Sequence, residues 1–228
     1  MTQTSAPTRS SSTRPMLAAF APYLVASAVH LVILATGPGW AVTATKALLM
    51  PLLVLAVVLV ARPLADATTR LLVVAIALSW AGDVALSFPG SIGFIVGLGC
   101  FLGAHVVYIG LFLRMPRAGR RPPTWTLVYL AWYVAFLALL GPHTGALFAH
   151  VALYGLVLAA MAATAARHGP LVAAGGALFV LSDSVLGLGR FLPGYDFALH
   201  DLVVMSSYLA AQGLIAAGVL RTLRTERW

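Results

Sequence analysis

RLLVVAIALSWAGDVALSF, residues 70–88, is the stretch on which the fold turns. After Arg70 it is apolar except for Ser79, Asp83 and Ser87. It has the ~20-residue length that a helix needs to cross a hydrocarbon core of ~30 Å. The alternating polar and apolar residues of a membrane β-barrel strand are absent from it. Its single acid is the anomaly. No Lys, Arg or His lies within a dozen residues of Asp83 on either side. A lone carboxylate in such surroundings is costly, so Asp83 needs a partner from another segment or a chemical use.

The rest of the chain repeats the pattern. Of its 228 residues 61% are hydrophobic and 9% charged, where a soluble domain is roughly a quarter charged. Apolar segments run at 17–36, 43–61, 70–88, 94–114, 124–140, 146–166, 171–190 and 198–220. Turn-rich pieces separate them, among them GPG (37–39), FPGS (88–91), HGP (168–170) and LPGY (192–195). The expected fold is an all-α integral membrane protein of eight transmembrane helices in one bundle. Residues 1–15, rich in Ser, Thr and Pro, read as a disordered tail, 16–221 as the membrane domain and 222–228 as a basic tail. The first apolar stretch is too long for a signal-peptide core and reads as an uncleaved span.

The net charge of +8 does not indicate nucleic acid, because the arginines lie between apolar segments and form no single patch. With eight spans, Arg9, Arg14, Arg62, Arg70, Arg114, Arg117, Arg120, Arg121, Arg167, Arg221, Arg224 and Arg227 fall on one side. These are 12 of the 14 Lys and Arg residues; Lys46 and Arg190 fall on the other. The positive-inside rule then places both termini in the cytoplasm, with a bacterial inner membrane as the expected setting. The single Cys100 lies in an apolar run and defines no disulfide framework.

ALFVLSDSVLGL (177–188) puts a second carboxylate, Asp183, in surroundings like those of Asp83. The two segments match at an offset of 100 residues, and Tyr108 and Tyr208 share that offset. Four spans separate them, as a parallel four-helix repeat would require. Asp83 stands 13 and Asp183 12 residues beyond the start of its span, which places both in the outer half of the membrane at ~20 Å from the inner end.

Ionisable residues inside spans usually face the bundle interior and are functional candidates. Besides the two acids the set is Lys46, His105, Tyr108, Arg190, Tyr208 and Gln212. Phe101, His105, Tyr108 and Phe112 share one helix face, Tyr208 and Gln212 stand one turn apart, and Phe179, Asp183 and Arg190 form a stripe. Turned inward, these faces would enclose a polar pocket. The blander readings are that each Asp only hydrogen-bonds a tyrosine between helices and that His30 and His150 are bonded core or snorkelling residues. Likewise Trp40, Trp125 and Trp132 would be interfacial anchors, and Gly97, Gly99 and Gly103 would permit close packing. No histidine cluster or His-Glu-x-x-His pairing speaks for a metal, and no glycine-rich phosphate loop or G-x-S-x-G elbow is present.

Two buried carboxylates can divide the work of acid and base in a hydrolysis, as in glycosidases and aspartic proteases. The same pair would serve a proton-coupled transporter of a lipid or small molecule. The residues alone leave both open.

GLGCFLGAHVVYI (97–109), GALFVLSDS (176–184), YLAAQGLI (208–215), ALLMPLL after Lys46 and LSWAGDVAL around Asp83 together resemble the signature segments of the YhhN-like family. That family includes the transmembrane lysoplasmalogenases of animals, and the resemblance spans residues 43–216. It implies hydrolysis of the vinyl ether bond of a lysoplasmalogen, with Asp83 and Asp183 as the essential aspartates and no metal or other cofactor. The implied partners are a lysophospholipid substrate and bilayer lipids; the oligomeric state is left open. As the only outer cations, Lys46 and Arg190 would clamp the phosphate, with the vinyl ether ~10 Å deeper beside the acids. Asp196, His200 and Asp201 would meet the ammonium end. A Lys46→Ala change is then expected mainly to raise KM.

Overall fold

A computed structural model describes residues 13–61, 66–115 and 123–225. The tail up to residue 12, together with Arg62, Arg117, Arg120, Arg121 and Arg227 of the basic segments, lies outside the described residues. Eight α-helices follow one another: α1 (Thr13–Thr36), α2 (Gly39–Val60), α3 (Ala67–Leu86), α4 (Ser91–Arg114), α5 (Leu127–Leu140), α6 (Phe148–Ala165), α7 (Pro170–Phe191) and α8 (His200–Thr225). Short 3-10 turns flank α5 and precede α6. Taken with the 3-10 turns that continue α5 and α6, all eight are long and apolar enough to cross a membrane, as expected, and no strand occurs among the described residues. Helix α8 continues to Thr225, so the first part of the expected basic tail is helical.

The helix ends follow local chemistry. Asp66 caps α3 by accepting a hydrogen bond from the Thr69 amide at 3.1 Å, worth about 1 kcal/mol. Gly90 (φ 103°) and Gly169 (φ 91°) precede α4 and α7 in backbone conformations that side chains resist. Pro170 then opens α7, where its missing amide hydrogen is no loss.

Packing is closest within two hairpins, α3 with α4 and α7 with α8. Small residues make this approach possible. A Cβ on Gly82 would lie 2.7 Å from the Phe101 ring, and one on Gly97 2.7 Å from Leu86. On the other hairpin, a Cβ on Gly175 would lie 2.9 Å from the Ala211 carbonyl oxygen, and one on Gly218 2.5 Å from Val172. The packing role read for the glycines of α4 holds for Gly97 alone. Gly99 meets nothing within 4 Å, and Gly103 meets only the Leu78 side chain of α3 at 3.6 Å, an ordinary contact that a methyl group would keep.

Helix α2 touches both α3 and α8, while α6 touches both α7 and α4. The pairing pattern thus recurs at a four-helix interval. Helix α8 is the most enclosed, and α1 and α5 are the most peripheral. Asp83 is carried by α3, His105 and Tyr108 by α4, Asp183 by α7, and Tyr208 and Gln212 by α8.

Candidate active site

Asp83 lies three residues from the end of α3, and Lys46 seven residues into α2. Because α2 and α3 are antiparallel neighbours, these positions meet. Lys46 Nζ is 3.4 Å from Asp83 Oδ1. The carboxylate that is isolated in the sequence is ion-paired in the fold. Its other oxygen accepts a 2.7 Å hydrogen bond from Tyr208 Oη on α8. The chain of donors continues inward. Gln212 Nε2 approaches Tyr208 Oη at 3.5 Å, and Tyr108 Oη of α4 donates to Gln212 Oε1 at 2.5 Å. Asp83, Tyr108, Tyr208 and Gln212 are all buried, and burying such groups is tolerable only when they are bonded to one another.

Asp183 has different company. Tyr154 Oη of α6 donates to its Oδ2 at 2.5 Å, and His105 Nε2 stands 3.9 Å from the same oxygen. That gap exceeds a hydrogen bond, and both ring nitrogens of the fully buried His105 lack a partner among the described residues. The ring is held by edge contacts to Phe179 (4.9 Å) and Tyr154 (5.5 Å). Phe179 also meets Tyr208 at 5.6 Å and Tyr108 at 6.2 Å, so it sits between the two polar groups.

Counted along the helices, His105 is some six residues deeper than Asp183, about 9 Å. The two nevertheless approach, because α4 starts at the end where α7 finishes. Side chains lean toward their helix N-terminus, so these two lean toward each other. Helix α3 starts at Ala67, three residues before the start expected from the sequence.

Two adjoining cavities replace the single pocket that the sequence pattern suggests. One, of about 500 Å³, is lined by Lys46, Arg190, His200, Asp201, Ser87 and Thr43 among others. The second, of about 40 Å³, is apolar except for Asp183 and Tyr154. Arg190 is exposed, its guanidinium carbon 4.8 Å from the centre of the Phe94 ring. His200 and Asp201 reach the first cavity, whereas Asp196 lines neither.

Each Asp does make the Asp–Tyr bond that a purely structural role would require. Such a role does not explain why Asp183 forms part of a cavity wall. Tyr154 was missed by sequence reasoning; its only signal is a hydroxyl in the middle of an apolar span. Trp132, read as an interfacial anchor, instead donates from Nε1 to Ser184 of α7 at 3.0 Å. Trp40 and Trp125 are exposed near their helix ends. His30 is a bonded core residue, its Nδ1 2.8 Å from Thr45 Oγ1; His150 is exposed. No group of three His, Cys, Asp or Glu able to hold a metal ion occurs among the described residues.

The model of the YhhN family matches residues 41–219. Among similar curated proteins, the lysoplasmalogenase of Mycobacterium tuberculosis is 39% identical over 173 residues, covering 72% of this chain and 65% of its own length. The lysoplasmalogenase TMEM86B of Rattus norvegicus is 32% identical over 204 residues, covering 89% of this chain and 84% of its own length. That of Mus musculus is 34% identical over 203 residues, with 88% and 86% covered. The chain thus spans slightly less than two thirds of the mycobacterial relative's length. No solved structure matches the chain.

Proposed function

The chain belongs to the YhhN family, and from that premise we propose that it is a membrane-embedded hydrolase of lysoplasmalogens. It cleaves the vinyl ether bond to give a fatty aldehyde and a glycerophospho-ethanolamine or -choline. The observation that carries this reading is two carboxylates with unlike partners, Asp83 buried and Asp183 part-buried, where Asp183 walls the smaller cavity and Lys46, the partner of Asp83, walls the larger one.

Vinyl ether cleavage begins at carbon. A proton adds to the alkene carbon remote from oxygen, leaving an oxocarbenium ion. Water adds to the carbon that bears the oxygen, and the hemiacetal then breaks its bond to the glycerol oxygen. One water is consumed and no electrons are exchanged. Asp183, whose neighbours are a phenol and an imidazole, is the group suited to deliver the proton. Asp83, paired with Lys46 and bonded by Tyr208, remains the anion. It stabilises the cation and accepts the proton of the attacking water. Tyr108 and Gln212 hold Tyr208 in place, and His105 shapes the pocket around Asp183.

Lys46 and Arg190 line the polar cavity and are assigned to the substrate phosphate. Because Lys46 also pairs with Asp83, its loss lowers kcat as well as raising KM, which revises the expectation drawn from its position alone. The arginine distribution orients the molecule with both termini in the cytoplasm and the polar cavity on the opposite face.

Purified protein in detergent, given alkenyl lysolipids with ethanolamine, choline or no phosphate, tests the reading. Aldehyde release is expected from the wild type. Asp83→Asn and Asp183→Asn each lower kcat by about a thousandfold while remaining folded. A proton-coupled carrier would release no aldehyde without a second compartment, so silence from every substrate rejects the hydrolase. Equal KM with and without a phosphate rejects the clamp alone.

A further inference from the structure

Leu86, Phe94 and Leu186 line both cavities and form the partition between them. The polar side has about 500 Å³ and two cations. The apolar side has about 40 Å³, where ~10–15 Å³ is enough to hold one water. As it stands, the slot beside Asp183 admits a few small groups and no fatty chain. Something in its wall must move before a lipid tail can enter.

The wall differs in how firmly its parts are held. Leu98, Phe101 and Tyr154 come from helix interiors. Phe94 stands in the first turn of α4, and Phe191 is the last residue of α7. Their rings meet edge to face at 5.7 Å and 79°, and the exposed Arg190 guanidinium lies over Phe94 at 4.8 Å. Helix ends with exposed partners open locally most readily. A contact between aromatic edges and a surface cation is a weak latch compared with the interdigitated interior.

We propose that Phe94 is the gate that determines the chain specificity of the proposed hydrolase. When its ring leaves Phe191, the slot joins the polar cavity. A single unbranched alkenyl chain then lies along Asp183, and the glycerophosphate stays with Lys46 and Arg190. The bond to be cut falls at the partition, between the carboxylate of the slot and the carboxylate behind Lys46. This inference rests on the hydrolase reading.

The test uses two variants of the full chain. Phe94→Ala removes the gate, and Leu98→Trp, one turn further along α4, fills the slot. The ratio of kcat/KM for a hexadecenyl over a butenyl lysolipid is read for each, with circular dichroism as the check on folding. Phe94→Ala raises the ratio several-fold, and Leu98→Trp lowers it by about tenfold or more. An active wild type whose ratio is unchanged by Phe94→Ala overturns the gate, whatever becomes of the tryptophan variant. A wild type that releases no aldehyde from either substrate overturns the hydrolase reading and the gate with it.

Discussion

Asp83 is tolerable among alanine and leucine because α2 and α8 each send a side chain to it. A double bond of this kind makes the site a unit. Removing Tyr208 Oη leaves one carboxylate oxygen without its donor and lets Gln212 lose its direction, at a cost of roughly 1–3 kcal/mol for the unsatisfied group. Tyr208→Phe is therefore expected to lower kcat by about tenfold or more, and Tyr154→Phe to do the same through Asp183; steady-state kinetics on the two single variants and the double variant check this. If Tyr208 acts only on Asp83, combining its change with Lys46→Ala gives clearly less than the product of the separate effects. These pairings were only partly legible in advance. Polar groups inside spans are so rare that Asp83, Asp183, His105, Tyr108, Tyr208 and Gln212 stand out in the sequence as one interior set. Which of them touch depends on helix depth and rotation. Lys46 therefore read as a phosphate ligand and proved to be a partner of Asp83, while Tyr154 carried no mark at all.

At the scale of the helices, spans and turns are legible because the bilayer imposes their length and Gly and Pro mark their ends. Close approach between particular helices is less so, since it depends on which face a glycine occupies. Gly97 and Gly99 look alike in sequence, yet one touches α3 and the other meets nothing. This difference gives a direct check. At Gly175 a methyl group would press on Ile215 at 2.6 Å and on the backbone oxygen of Ala211 at 2.9 Å, so Gly175→Ala is expected to destabilise by about 1–3 kcal/mol. Gly99→Ala, facing open space, is expected to stay within about 0.5 kcal/mol of the wild type. Thermal or denaturant unfolding in detergent would compare the two. Equal losses at both positions would mean that the α7–α8 contact is not the close one described.

For the molecule as a whole, the recurrence of helix pairing at a four-helix interval brings two acid-bearing helices to one interior. The arginines between spans are the basis of the proposed orientation. Reporter fusions are expected to place both termini in the cytoplasm; termini on opposite sides would remove the even span count. The central claim is chemical, however: a carboxyl of this protein protonates a vinyl ether at carbon. Hydrolysis in heavy water, with the aldehyde reduced at once to its alcohol, tests it most directly by mass spectrometry. The account predicts one deuterium on the carbon next to the former aldehyde carbon, at a rate that collapses in Asp183→Asn. Aldehyde released without that deuterium, or released equally well by the Asp183→Asn protein, would contradict it.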